Sequence, residues 1–149
     1  MDIALAYNRT TRCCDVVFNG TDFALDATPA SAMLFSVTAN RRAKPDDVVP
    51  TVVTDRANPQ SFTARGGCPC DALDPAGALT GSRIWLYQRA LADEKTLTGV
   101  QNALVEAVQW LETVRGFALQ VTVRWIAPQI LGFRIRAGNT VLQLKKAFG

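Results

Sequence analysis

Between Leu97 and Val114 apolar residues recur at steps of three and four. Leu97, Val100, Leu104, Val108, Leu111 and Val114 form the stripe, Ala103, Ala107 and Trp110 widen it, and Gln101, Asn102, Glu106, Gln109 and Glu112 fill the other side. Only a helix gathers such positions onto one face, and a face this wide has to be buried against something. Asp93, Thr96 or Thr98 can cap its start and Gly116 its end. Burying side chains of this kind is worth about 1.5–3 kcal/mol each before entropy is charged, so this helix is expected to anchor the fold. The stripe stops after one helix of ordinary length, which argues against a sustained coiled coil.

The segment that follows changes period. Leu119, Val121, Val123 and Trp125 alternate with Gln120, Thr122 and Arg124. After Pro128-Gln129, Leu131, Phe133, Ile135 and Ala137 alternate with Gly132, Arg134 and Arg136, and Gly138-Asn139 turns the chain into Val141 to Leu144. Period two with turn residues between the runs predicts an antiparallel sheet with one apolar and one cationic face. Two readings of Arg124, Arg134 and Arg136 stay open: a solvated face, which antiparallel sheets commonly present, or a surface for an acidic partner. Lys145 and Lys146 on the closing strand can guard it against unwanted edge pairing.

Residues 2 to 27 read as short strands, a hairpin or a three-strand meander: Ile3 to Tyr7, Cys14 to Phe18 before Asn19-Gly20, and Asp22 to Asp26. Thr28 before Pro29 marks a helix start, with Met33, Leu34 and Val37 as its stripe and Asn40, Arg41 and Arg42 at its C-terminal end, over about 29 to 42. From Ala43 to Leu79 the chain holds five of its seven prolines and no apolar period, so a long irregular loop is predicted at about 43–79. Arg83 to Leu91, with Ile84, Trp85, Tyr87 and Leu91, reads as a short amphipathic helix. The fold class expected is α+β: N-terminal short strands, amphipathic helices, and a C-terminal antiparallel sheet packed on the long helix, all in one domain over residues 1–149.

Composition narrows function more than fold. There is no histidine among the 149 residues, which removes the side chain most used for proton transfer near neutral pH and the commonest metal ligand. Residues 1–75 carry 7 basic and 9 acidic groups and residues 76–149 carry 9 and 4, a modest asymmetry that suits a protein partner better than a nucleic acid. No run is apolar enough to span a bilayer as a helix. Asp2 interrupts any cationic leader, so residence in a cytoplasm is expected. Cys13-Cys14 and Cys68-Pro69-Cys70 lack the spacing of zinc knuckles; the reading favoured over a four-thiolate site or a redox pair is two small buried hydrophobes and two loop thiols.

The order of features resembles the small baseplate protein family of Mu-like phages. The resemblance rests on Asp2-Ile3-Ala4-Leu5, on Asn40-Arg41-Arg42-Ala43 followed by Pro45-Asp46-Asp47 and Pro50, on Arg65-Gly66-Gly67, and on Gly81-Ser82-Arg83-Ile84-Trp85-Leu86. In that family a Trp-Trp-Gly-Asp stretch follows the glycine pair; here Cys68-Pro69-Cys70-Asp71 replaces it. What the resemblance implies is a wedge subunit of a contractile tail baseplate, related in fold to the small wedge protein that starts sheath assembly. Its implied partners are other wedge proteins, the tail sheath and the central hub or tube, with no nucleic acid, membrane, cofactor or metal. Partner contacts are then expected at Arg41, Arg42, Gly66, Gly67, Gly81, Arg83 and Trp85, and on the sheet at Arg134, Arg136 and Lys145. Glu112 and Arg115 stand where distant relatives carry a Glu-Pro-Arg ending on the long helix, which implies a packing role.

The competing class is a cell-wall-degrading enzyme using Asp46, Asp47, Asp71, Glu94 or Glu106. That chemistry needs two positioned carboxyls in contrasting environments, and most of these acids sit in polar stretches, so an assembly protein without catalytic residues is the expectation. A nucleic-acid or redox module is the third class.

Overall fold

The computed structural model describes every residue except Arg9, Arg12, residues 51–61 and Gly149. Its architecture is α+β, and the long helix and the C-terminal sheet form its centre. The helix, Glu94–Thr113, begins where Asp93 Oδ1 accepts the Thr96 amide at 2.7 Å, so of the three capping candidates Asp93 does the work. Val100, Ala103, Leu104, Ala107, Val108 and Leu111 are buried along one side. Val114 lies just past the end and is exposed. Gly116 turns the chain out of the helix at φ 71°, its amide donating to Glu112 O and that of Phe117 to Leu111 O.

Three antiparallel strands follow in the order in which they occur: Leu119–Ala127, Ile130–Ala137 and Thr140–Ala147. Val123, Leu131, Phe133, Ile135 and Ala137 are buried on the face that meets the helix, and Leu119, Val121, Trp125, Leu142 and Leu144 pack around them. The pairing shifts register between Trp125 and Ala127. Lys145 and Lys146 divide between the faces: Lys145 is exposed beside Gly132, whereas Lys146 lies opposite buried Leu131 and is half-buried, and that burial pulls its amine below the ordinary lysine range.

The first helix, Ala30–Thr38, is shorter than the predicted 29 to 42. Its start is held chiefly by Asp26, whose carboxylate accepts Thr28 N (2.8 Å), Thr28 Oγ1 (2.6 Å), Ser31 N (3.0 Å) and Ser31 Oγ (2.8 Å). Thr28 Oγ1 adds a longer bond from Ala30 N. The helix stops early because the backbone beyond it has another partner: Ser82 N donates to Ala39 O and Arg41 N to Ser82 O, a parallel bridge between Asn40 and Ser82. Arg41 and Arg42 therefore lie in extended chain beyond the helix, a correction to their expected place at its end. Met33 and Val37 enter the core, and Trp110 Nε1 donates to Ser36 Oγ, joining the first helix to the long one.

Within the predicted loop, Phe62–Arg65 is a single helical turn and Pro69–Leu73 a 3₁₀ turn; residues 51–61 of it lie outside the described chain. The helix expected over Arg83 to Leu91 is a 3₁₀ turn, Ile84–Tyr87, that buries Ile84 and Trp85 and leaves Leu91 exposed. The N-terminal residues form two small antiparallel pairs, Asp2–Ile3 with Leu25–Asp26 and Leu5–Asn8 with Cys13–Val16, closed by an isolated bridge between Phe18 and Phe23. Cys13 and Cys14 are both exposed on their strand, so the expectation that they are buried hydrophobes is corrected: among the described residues no second layer covers this hairpin to bury them. Cys68 is a half-buried free thiol, and the side chain of Cys70 lies outside the described set.

We label the strands β1 (Asp2–Ile3), β2 (Leu5–Asn8), β3 (Cys13–Val16), β4 (Leu25–Asp26), β5 (Leu119–Ala127), β6 (Ile130–Ala137) and β7 (Thr140–Ala147), and the helices α1 (Ala30–Thr38), α2 (Phe62–Arg65) and α3 (Glu94–Thr113).

Candidate functional site

Three of the four sequence motifs, at residues 40–50, 65–67 and 81–86, meet in space. Arg83, from the third, donates through Nη1 to Asp47 Oδ1 and Oδ2 (3.1 and 2.9 Å) and through Nε and Nη2 to Glu106 Oε2 on α3 (2.9 and 2.6 Å). Lys44 Nζ approaches Glu106 Oε1 at 3.8 Å, and the Lys44 amide donates to Asp47 Oδ2. Trp85 is only 4% exposed; its Nε1 donates to Arg41 O at 2.8 Å and its ring lies under Gly66, where a Cβ would come within 3.1 Å of Cζ2. Arg41 Nη1 donates to Glu106 O, and Ala43 N to Arg65 O. Gly81, at φ 93°, runs so close to Ala39 that a side chain there would fall on its carbonyl. Arg41, Gly66, Gly81, Arg83 and Trp85 thus form one clasp that fastens the proline-rich segment to α3, with Trp85 turned inward. Arg42 is half-buried beside it, and Gly67 continues the turn at φ 125°.

Charge explains why the clasp is stable. Burial alone would raise the Asp47 carboxyl, but the Arg83 hydrogen bonds, the Lys44 amide and the two nearby cations outweigh it and hold the group below its ordinary value. Burial likewise works against the Arg83 charge, and its two carboxylates more than restore it. A glycosidase acid needs displacement in the opposite direction, so Asp47 is fitted to an ion pair rather than to proton donation. Asp71 Oδ1 accepts Thr80 N, Asp46 is exposed in its loop, and Glu94 is exposed in the first turn of α3. Among the described residues no three His, Cys, Asp or Glu side chains are grouped as metal ligands.

The remaining site residues lie elsewhere. Arg115 reaches the N-terminus, Nη1 and Nη2 donating to Asp2 Oδ2 and Oδ1 at 2.6 and 2.7 Å while its guanidinium stacks 5.1 Å from the Trp110 ring centre. Those hydrogen bonds hold the Asp2 carboxyl below its ordinary value. Glu112 is exposed. Arg134, Arg136 and Lys145 are exposed on the outer face of the sheet, with Arg136 Nε donating to Gly138 O. The acid partners Asp2, Asp47 and Glu106 were not readable as partners, because they lie 113, 36 and 23 residues from the arginines they meet and follow no spacing rule. The Asp26 cap had a local signal, an Asp two residues before the Thr-Pro pair.

These features define an α+β protein in which a long helix backs a small antiparallel sheet and an ion-paired clasp ties a proline-rich segment to that helix. The family model described as Phage protein GP46 matches residues 29–142, from just before α1 into β7, and the chain belongs to this family of phage proteins. No curated protein and no solved structure matches the chain. Among the described residues no helix is long and apolar enough to cross a membrane.

Proposed function

We propose that this phage protein is a structural subunit of a contractile tail baseplate, a wedge component that starts the sheath by accepting strands at its C-terminal sheet. The observation that carries the reading is the sheet itself. β5 and β7 are nine and eight residues long, and each stands at an edge, with no further strand beyond it among the described residues. Edges of this length are normally covered or broken up, and main-chain pairing with a partner strand is what an open edge offers. The clasp supports the same reading, since its ion pairs and buried Trp85 fix the chain around α3 as a rigid part. On this reading the partners are other wedge proteins, the sheath and the hub or tube, the location is the virion baseplate, and the protein turns over no substrate.

Tails made in cells lacking this chain test the proposal. The expected result is particles without an ordered sheath, restored by supplying the chain, and the chain itself present in purified tails. Complete sheathed tails without it would overturn the reading. So would a muralytic activity of the purified protein that Asp46→Asn or Asp71→Asn abolishes.

A further inference from the structure

On the outer face of the C-terminal sheet cations gather, and its three strands carry no acidic residue. The strand register sets Gly132 of β6 between Arg124 of β5 and Lys145 of β7. Arg134 stands two residues further along β6, about 7 Å away at the rise of a strand. Together with Thr122, Ile126 and Gln143 these residues line a trough of about 560 Å³. Three cations elsewhere have carboxylate partners: Arg83 has Asp47 and Glu106, Arg115 has Asp2, and Lys44 has Glu106. Arg124, Arg134 and Lys145 form no salt bridge among the described residues. The middle of the trough is apolar, because Ile126, at the register shift in β5, lies over Gly132, and a Cβ on that glycine would come within 2.8 Å of Ile126 Cγ2.

We propose that this trough is a docking site for an acidic, extended segment of a partner protein, with carboxylates on Arg124, Arg134 and Lys145 and an apolar side chain on Ile126. Alternate side chains of an extended segment stand about 7 Å apart on one side, the same repeat that separates Gly132 from Arg134. Guanidinium groups bind carboxylates through paired, directional hydrogen bonds, which suits acidic side chains at fixed positions. Nucleic acid fits less well: Phe133, the aromatic residue of the lining, is only 6% exposed and packs in the core, where a base cannot stack on its ring, and three cations neutralise few phosphates. The proposal concerns the face of the sheet and not its edge, so it stands or falls apart from strand addition.

The experiment is fluorescence anisotropy on the full-length chain with a labelled peptide of about eight residues, glutamates around one central leucine. Its comparison probes are the same peptide with glutamine for glutamate and an oligothymidylate of equal charge. The glutamate peptide is expected to bind, more weakly as salt rises, and to lose affinity by about tenfold or more in Arg134→Glu/Lys145→Glu. Ile126→Ser is expected to weaken it by a few fold. Arg89→Glu, an exposed cation outside the sheet strands and the trough lining, is expected to leave it unchanged, with circular dichroism showing each variant natively folded. Absence of binding, binding that survives the double charge reversal, equal affinity for the glutamine peptide, or oligothymidylate binding as tight as the acidic peptide's would each overturn the proposal.

Discussion

Arg83 satisfies two carboxylates from distant parts of the chain at once, so its loss leaves Asp47 and Glu106 facing each other with only the longer Lys44 contact between them. Because these groups are mostly shielded, Arg83→Ala is expected to destabilise the protein by about 1–3 kcal/mol in urea unfolding, with Arg83→Lys recovering part of it. Asp26 gives a prediction in pH. Its bonds from Thr28, opposed by desolvation and joined by those from Ser31, take its carboxyl from 3.8 to about 2. A folded-state value below the unfolded one means that its contribution is complete above pH 3.8 and is lost as the pH falls through about 2. Asp26→Asn should therefore be less stable than the parent at neutral pH, and the gap should close across that window. Denaturation curves at several pH values measure it, and a gap constant down to pH 2 would contradict the assignment of the charge to this cap.

At the level of elements, what was legible in the sequence follows from how local each cause is. The periods of α3 and of β5 to β7 are written into consecutive residues, and those elements stand where the periods put them. The end of α1 is not local: residues 39 to 41 pair with Ser82, more than forty positions away, and that bridge takes the backbone the helix would have used. The segment after Arg83 has an apolar pattern that suits a helix, yet Trp85 and Ile84 turn inward together and leave one 3₁₀ turn. The clasp was half legible in the same sense. Its arginines, glycines, tryptophan and Asp47 stand in recognisable motifs, whereas Glu106 stands in none of them and nothing local pairs either acid with Arg83. Gly81 is the position on which the bridge depends, since any side chain there meets the Ala39 backbone, with Ala39 C 2.8 Å from a Cβ, at a φ of 93° that L residues rarely adopt. Gly81→Ala is expected to cost about 2 kcal/mol or more, against about 1 kcal/mol for Gly20→Ala, where φ is also positive but nothing lies within 4 Å. Thermal unfolding of the two variants side by side separates steric conflict from backbone strain.

Across the whole molecule, burial is uneven. One core joins α1, the 3₁₀ turn at Ile84, α3 and the C-terminal sheet, while the N-terminal segment carries apolar side chains outward: Ile3, Tyr7, Val16 and Leu25 on its strands and Phe18 and Phe23 at the isolated bridge, with Tyr7 59% and Leu25 63% exposed. Two-stranded pairs of this size have little stability of their own, and the N-terminal arm is held by the Asp2–Arg115 ion pair, by the Leu5 amide on Ser31 Oγ and by the Asp26 cap. This apolar surface accompanies two sheet edges that no further strand covers among the described residues, and exposed apolar surface of this extent is the kind that contact sites present. If the protein works in the baseplate as proposed, stability and assembly are carried by different residues. Leu104→Ala, deep in the core, is expected to cost about 2–5 kcal/mol and to lower the melting temperature of the purified chain. Tyr7→Thr with Leu25→Thr, which places β-branched residues of good strand propensity at exposed strand positions, is expected to change stability by no more than about 0.5 kcal/mol per site. If the arm is a contact surface in the tail, the same double variant should be depleted from purified particles when it competes with the parent chain during assembly. Quantifying both chains in tails by mass spectrometry reads this directly, and equal incorporation at unchanged stability would mean that the outward apolar side chains of the arm contribute nothing to assembly.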